Sequence, residues 1–472
     1  MSKLPDIKTK FSDWYNEVIF QAELADHGPV RGTMIIRPYG YALWEEIQST
    51  LDKKIKDTGH QNASFPLLIP ESYLKKEAQH VEGFAPELAI VTHAGGKKLD
   101  EPLVIRPTSE TVVHHMFAKW LNSWRDLPIK INQWANVVRW ELRPRPFLRT
   151  TEFLWQEGHT AHATKDEAEK EAALMMHEYV DLAQSYLAIP VIMGVKSDSE
   201  KFPGAEKTLT FEAVMPDGKA LQMGTSHLLH QDFAKAFDMT FQDAEGKNRY
   251  PYLTSWGVTT RLVGALVMMH GDEKGLVLPP KIAPIQVVII PILKKGADVD
   301  AVLQKAHEIA QQLKKINIRV SVDEEDKSPG AKFYKWELRG VPLRMEIGPR
   351  DLENSSVMLA DRLGIEKAPV AMETLQTVIP EKLEMLQNEL FKRAQEKMQS
   401  LWHKEAKLKD FGPHMAKDGG LYQTGWCQDP ACEQELKKFK AFTRCLLPKK
   451  TFETCFWCDK PSVTDVLVAK AY

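Results

Sequence analysis

The sequence predicts an α+β protein in three parts. Residues 1–280 read as a mainly antiparallel sheet flanked by helices, 281–380 as an α/β domain, and 381–472 as a long helix followed by a small cysteine-bearing α/β domain. Three observations carry this division. Several β-rich stretches before residue 230 are interrupted by one clear helix, and few crossover helices mean mainly antiparallel pairing. From Ile285 to Ile347 strand and helix alternate, which implies some parallel pairing. All five cysteines lie between Cys427 and Cys458.

The first part opens with a short strand, Val30 to Pro38, stopped by proline. A helix follows from Tyr39 to about Asp57, with Leu43, Trp44, Ile47, Leu51 and Ile55 recurring at three and four, and Gly59 ends it. Strands are expected over 103–106, 130–139, 154–162, 191–195, 208–214 and 220–225. Thr164 and Glu167 form a capping box for a helix running to about Leu187, ahead of Pro190. Leu278-Pro279-Pro280-Lys281 reads as a linker. In the second part, strands at 285–293, 318–322 and 343–347 enclose helices at 298–315 and 329–339; Val302, Ala306, Ile309, Ala310 and Leu313 form one face of the first helix. The third part starts at Pro380, where Leu383, Leu386, Leu390, Ala394, Met398 and Leu401 keep helical spacing.

A chain of 472 residues with 43 % hydrophobic side chains can bury a large core, so disulfide stapling is not needed. The net charge of -2 excludes a surface that is basic throughout, but not a local positive stripe for nucleic acid. Asp6, Lys8, Lys10, Asp13 and Glu17 interrupt any apolar leader, and the most apolar stretch, Ile285 to Leu293, is too short to span a bilayer. A cytoplasmic protein is expected.

Arg139-Trp140-Glu141 is expected at a strand end, where alternation directs Arg139 and Glu141 to one side. A guanidinium fork suits phosphate or carboxylate oxygens, and a carboxylate can accept an amine proton. A basic loop follows, with Arg143, Arg145 and Arg149. Alone, such a pair is more often a surface salt bridge. Arg261 starts an apolar helix, Leu262 to His270, where it can lie over an aromatic purine or simply be solvated. Cys427 and Cys432 form one pair and Cys455 and Cys458 another; clustered thiols in a reducing compartment favour a structural zinc site over disulfides. Four buried or reactive thiols are the alternative. Cys445 stands outside both pairs.

Taken together, these elements resemble the class II aminoacyl-tRNA synthetases. The helix at 39–57 followed by Pro66 looks like motif 1, Arg139-x-Glu141 through Phe153 looks like motif 2, and Arg261 like the motif 3 arginine. The resemblance implies that Arg139 holds the α-phosphate and the amino-acid carboxylate and is the main catalytic residue. It implies that Glu141 reads the adenine amine, that Phe153 and Arg261 sandwich the purine, and that Arg143, Arg145 and Arg149 touch the tRNA acceptor end.

Arg106-Pro107-Thr108-Ser109-Glu110, Trp155 to His162 and Gln222 to His227 resemble the prolyl-tRNA synthetase family in particular. That family's pattern implies proline binding by Thr108, Glu110, Arg139 and His227, a pocket lined by Trp155, Glu157, His159 and Phe202, and an aromatic gate at Phe84. It implies ATP contacts from Thr150, Gln222, Thr225, Thr259 and Arg261, with Mg2+ accompanying ATP. The residue types suit proline: an aromatic wall, an anion for the ring ammonium and a cation for the carboxylate. Trp155, His159 and His227 could equally be core residues.

The resemblance further implies a homodimer through motif 1, tRNA(Pro) as partner, and no role for DNA or a membrane. It implies a zinc-binding C-terminal domain, with Tyr472 placing its terminal carboxylate near the active site. Only about 100 residues separate Phe153 from Arg261, too few for an editing insertion as well as the core. The second part resembles an anticodon-binding domain, with Arg344, Glu346 and Arg350 as candidate contacts. Two alternatives are a synthetase for threonine, glycine or histidine, and a non-catalytic tRNA-binding paralogue.

Overall fold

The computed structural model describes residues 3–75, 88–141, 143–293 and 298–472. Near the N-terminus, helix α1 (Phe11–Gln21) precedes a two-stranded ribbon of Ala25–His27 and Met34–Ile36. Helix α2 (Pro38–Asp57) starts on Pro38 itself, whose missing N–H falls among the donors a helix start leaves unpaired. The proline that ends the strand therefore also begins the helix.

The central sheet is built from β1 (Ile129–Val138), β2 (Glu152–His162), β3 (Ile192–Val195), β4 (Ala205–Val214), β5 (Ala220–Leu229) and β6 (Tyr252–Thr259). Their order is β3-β4-β5-β6-β2-β1, all antiparallel. Helix α3 (Glu110–Trp120) precedes β1, α4 (Lys165–Asp181) lies between β2 and β3, and α5 (Arg261–His270) follows β6. The capping box on α4 forms, with Thr164 Oγ1 accepting from the Glu167 N–H and the Glu167 carboxylate accepting from the Thr164 N–H. The α-helix ends at Asp181 and continues as one π turn, Leu182–Tyr186.

Burial explains the packing. Trp14, Tyr15, Trp44, Tyr179 and Trp256, from α1, α2, α4 and β6, belong to one core with the apolar face of α5. Trp256 is opposite Gly158 in the β6–β2 pair, and a Cβ at Gly158 would meet the indole ring at 2.1 Å. Only glycine lets that ring cross the strand.

The second part has β7 (Val287–Pro291), α6 (Val299–Lys315), β8 (Val320–Val322), α7 (Pro329–Leu338), β9 (Leu343–Ile347), β10 (Ser356–Asp361) and β11 (Lys367–Ala371). The order is β8-β7-β9-β10-β11; the first three are parallel and the last two antiparallel. The expected helix from Pro380 begins earlier: α8 is Leu375–Leu401, with Pro380 inside it.

Beyond α8 come β12 (Trp402–Lys404), α9 (Leu408–Asp418), β13 (Leu421–Trp426), β14 (Phe442–Leu446) and β15 (Thr464–Ala469). These strands extend the central sheet. The order β12-β13-β15-β14 continues into β3 through the Leu446–Val195 pair, and Gln61–Asn62 adds a short parallel edge beside β1. Among the described residues, no helix is long and apolar enough to cross a membrane.

Candidate active site

A cleft of about 460 Å³ lies over the open face of the central sheet. Its floor follows from strand register. His159, Ser255, His227 and Thr208 are successive cross-strand partners from β2 to β4. Glu157, Gly257 and Thr225 make the next row, and Trp155 is paired with Thr259 beyond it. Because side chains alternate along a strand, Phe153, Trp155, Glu157 and His159 all reach this face. Gly257 contributes no side chain, so the floor is open between Glu157 and Thr225.

Arg139 lies just past the end of β1, not on the strand as expected, and Glu141 is in the loop beyond it. Both nevertheless line the cleft. The Arg139 Nε–H donates to the Pro107 carbonyl at 3.0 Å. Its guanidinium carbon is 5.5 Å from the Phe153 ring centre and 5.7 Å from that of Trp155. Glu141 accepts from the Arg143 N–H at 2.9 Å and pairs with Arg149 at 3.5 Å. Arg261, at the start of α5, donates to the carbonyls of Leu148 and Gln222 at 3.2 and 3.1 Å. Burial, together with the charges of Arg149 and Arg139, pulls its pKa down to about 10. Three guanidiniums thus crowd one end of the cleft, an arrangement suited to a polyanion.

The other end is acidic and aromatic. The Glu157 carboxylate accepts from the Ser109 N–H (3.2 Å), Ser109 Oγ (2.5 Å) and Gln133 Nε2 (2.8 Å). It also contacts His159 Nε2 at 3.2 Å. Glu110 accepts from the Thr108 hydroxyl. His227 is fixed at both nitrogens, by Thr208 Oγ1 at 2.9 Å and Thr225 Oγ1 at 3.0 Å, and its ring lies 4.5 Å from that of Phe202. Burial alone would lower the pKa of His159; the hydrogen bond and charge of Glu157, with the charge of Glu110, outweigh it and raise the value. Trp155 Nε1, His159 Nδ1 and Ser255 Oγ are buried polar atoms of this cleft with no hydrogen-bond partner among the described residues.

Thr108, Glu110, Arg139, Glu141, Arg149, Thr150, Phe153, Trp155, Glu157, His159, Phe202, Gln222, Thr225, His227, Thr259 and Arg261 all line the one cleft. Phe84 lies outside the described residues. Arg143 is exposed on the loop. Arg145 packs against the Tyr472 ring at 5.4 Å, and the Tyr472 hydroxyl donates to Asp217 at 2.6 Å. Tyr472 therefore abuts the basic loop, not the cleft lining itself. Arg344, Glu346 and Arg350 lie on the second part. Arg344 stacks on Phe333 at 4.1 Å and donates to Glu346 at 3.0 Å, Lys367 reaches the same carboxylate at 3.0 Å, and Arg350 is exposed. Lys196, Glu200 and Ser255 also line the cleft. No local motif marks the first two; Ser255 becomes visible only through its register beside His159.

The cysteine pairs converge. Cys427 Sγ is 3.7 Å from Cys432 Sγ and 3.6 Å from Cys458 Sγ, and all four sulfurs, with Cys455, lie within 4.8 Å of one another. Tetrahedral zinc with Zn–S of about 2.3 Å sets sulfurs about 3.8 Å apart, so this thiol set fits the ion. Cys445 is buried away from it and lies against Gly194.

Comparison with known proteins agrees with this geometry. Residues 93–270 match the tRNA synthetase class II core domain (G, H, P, S and T), and residues 286–382 match an anticodon binding domain. Fold and site thus define a class II aminoacyl-tRNA synthetase. Residues 408–472 match the prolyl-tRNA synthetase C-terminal domain. Proline–tRNA ligase 2 of Clostridioides difficile is 48 % identical over 100 % of this chain and 98 % of its own. Proline–tRNA ligase 2 of Streptomyces avermitilis is 52 % identical over 95 % of each. The chain belongs to the proline–tRNA ligase family. A crystal structure of prolyl-tRNA synthetase from Cryptosporidium parvum complexed with halofuginone and AMPPNP superposes with a TM-score of 0.94, at 42 % identity over 99 % of both chains. The same enzyme with L-proline and AMP gives 0.93, at 41 % identity over 100 % of this chain and 99 % of that one.

The Glu157–His159 pair has a testable pH signature. A raised histidine pKa contributes stability that is fully present below the ordinary value of 6.5 and is lost as pH rises through the raised one. In Glu157→Gln, burial dominates, and the His159 titration followed by NMR should move below that ordinary value; an unmoved midpoint would mean that Glu157 does not set it.

Proposed function

We propose that the cleft activates L-proline at its acidic, aromatic end with ATP held at its arginine end. The convergence of Arg139, Arg149 and Arg261 at one end carries this reading, because it matches the charge of a triphosphate. Arg139 holds the α-phosphate and the proline carboxylate together. Phe153 and Arg261 enclose the purine, Glu141 accepts from the adenine amine, and Thr150, Gln222, Thr225 and Thr259 complete the ATP contacts. Glu110 faces the proline ammonium, with Thr108 fixing its carboxylate, and Trp155, Glu157, His159, Phe202 and His227 form the pocket.

A proline carboxylate oxygen attacks the α-phosphorus in line, and the bond to the bridging oxygen breaks to release pyrophosphate. The terminal ribose hydroxyl of tRNA(Pro) then attacks the prolyl carbonyl and expels AMP. Positioning and charge neutralisation supply most of the acceleration, since the protein takes no covalent part. Magnesium bound with ATP would supply further neutralisation of phosphate charge, and the Glu200 carboxylate on the cleft wall would offer an oxygen donor of the type it takes. The loop arginines Arg143, Arg145 and Arg149 meet the acceptor end, Arg149 from the cleft rim, and Arg344, Glu346 and Arg350 read the anticodon.

ATP–pyrophosphate exchange with a panel of amino acids tests this. Proline should support exchange, and Arg139→Ala should lower it by at least roughly a hundredfold, since the residue touches both reactants. Near-normal exchange in that variant would sink the assignment. Alanine should support slower exchange, because each methylene it lacks is discriminated by only about 1–3 kcal/mol. Only about 100 residues separate Phe153 from Arg261, and most of them build the central sheet and its helix α4, so no clearance of alanyl-tRNA in cis is expected; its hydrolysis by the purified chain would contradict this.

Zinc belongs to the same reading, as a structural ion held by Cys427, Cys432, Cys455 and Cys458, since four thiolates leave no open position. Metal analysis should find about one zinc per chain, with Cys455→Ser losing it and melting at lower temperature. Zinc-free protein of undiminished stability would refute the assignment. Exposed Val30, Ile35 and Tyr41 around motif 1 support a homodimer; a monomer mass by light scattering at micromolar concentration would count against it. A cytosolic location completes the reading, since thiol ligands stay reduced there.

A further inference from the structure

The C-terminal region grips the cleft through one loop. Residues 196–203 join β3 to β4 and place Lys196, Glu200, Phe202 and Pro203 on the cleft wall. Two sets of contacts hold this loop from behind, and both come from beyond residue 430. In the first, Glu433 accepts from Ser197 Oγ at 2.8 Å and, through its other oxygen, from Ser199 Oγ at 2.6 Å. Thr443 donates to the same carboxylate. In the second, Arg444 donates to one oxygen of Glu212 at 3.1 and 2.8 Å, while Lys196 Nζ donates to the other at 2.8 Å. Ser197, Thr443, Glu212, Arg444 and Lys196 are all more than nine-tenths buried.

Apolar residues of similar volume would generally stabilise such a position as well as buried ions do. What directional bonds add is a defined geometry. Each serine of the loop meets its own oxygen of one carboxylate, which sets both the height and the rotation of the segment that leads into Phe202. Lys196, at the start of the same loop, cannot shift without breaking its contact with Glu212.

We propose that Glu433 and Arg444 are positioning residues for proline binding: they set loop 196–203 so that Phe202 stands against His227 and closes the proline end of the cleft. The inference rests on the reading that the Phe202–His227 wall holds proline. It makes the C-terminal region part of the substrate site's support, although that region contributes no lining residue.

The test is exchange kinetics on the purified full chain, with zinc content and melting temperature measured on each variant. Glu433→Ala should raise the KM for proline by roughly tenfold, through misplacement of a pocket wall, with kcat and the KM for ATP changed by less than about twofold. Glu433→Gln, which keeps the shape and one acceptor, should recover most of the loss. Should Glu433→Ala fail to fold, the pair Ser197→Ala and Ser199→Ala removes the same contacts from the loop side and should give the same rise. An unchanged proline KM, or proline and ATP values rising together in step with lost thermal stability, would overturn the proposal. Wild-type protein without proline-dependent exchange would instead overturn the functional reading on which it rests.

Discussion

The in-register pairing of β2 with β1 and β6 is the constraint on which the site depends. One strand supplies Phe153, Trp155, Glu157 and His159 to the cleft, and its neighbour β6 supplies Thr259, Gly257 and Ser255 opposite the last three. A slip of one residue would turn every one of these side chains to the other face. The Trp256–Gly158 contact opposes that slip from behind, because the indole ring fits over the strand only where there is no Cβ. Behind the floor, Gln156 is tied to Asn132 and Tyr179, so the reverse face is as specified as the front.

Charge is sorted along this floor. The chain as a whole is nearly neutral, yet Arg139, Arg149 and Arg261 converge at one end while Glu110 and Glu157 occupy the other. Burial sharpens both ends, because charges in a drier setting act over longer distances. A zwitterionic amino acid and a polyphosphate then have defined directions of approach. Carbonyls of Pro107, Leu148 and Gln222 hold the Arg139 and Arg261 guanidiniums in place before any ligand arrives, an arrangement that suits a reaction with little reorganisation.

The three sequence regions are not three independent layers. The second has its own core, but Arg339 reaches Glu23, and Arg362 makes a two-point contact with Asp272 near the end of α5. The third donates four strands to the central sheet. Its cysteine cluster ties the segments that carry Glu433 and the β13 end, which gives four thiols remote from the cleft a route to its wall.

Much of this was legible in the sequence. Helical periodicity located α2 and α6, and the capping box located α4. The family resemblance named a little over half of the residues that line the cleft, Arg139, Glu157 and Arg261 among them. Arg139 and Glu141 both line the cleft, but not by the strand alternation expected of them, since both lie past the strand end. Strands β10 and β11 were missed, and so were the strands that join the third region to the first. Lys196, Glu200 and Ser255 carried no pattern of their own. Local preferences and residue types are written along the chain, so the sequence alone determined the class of protein, its amino acid and the thiol set. Strand register and contacts between residues more than two hundred positions apart, such as Arg444 with Glu212, depend on how distant segments bury one another. Only the tertiary structure could decide those, because the energy of such a contact exists only after the intervening chain has folded around it.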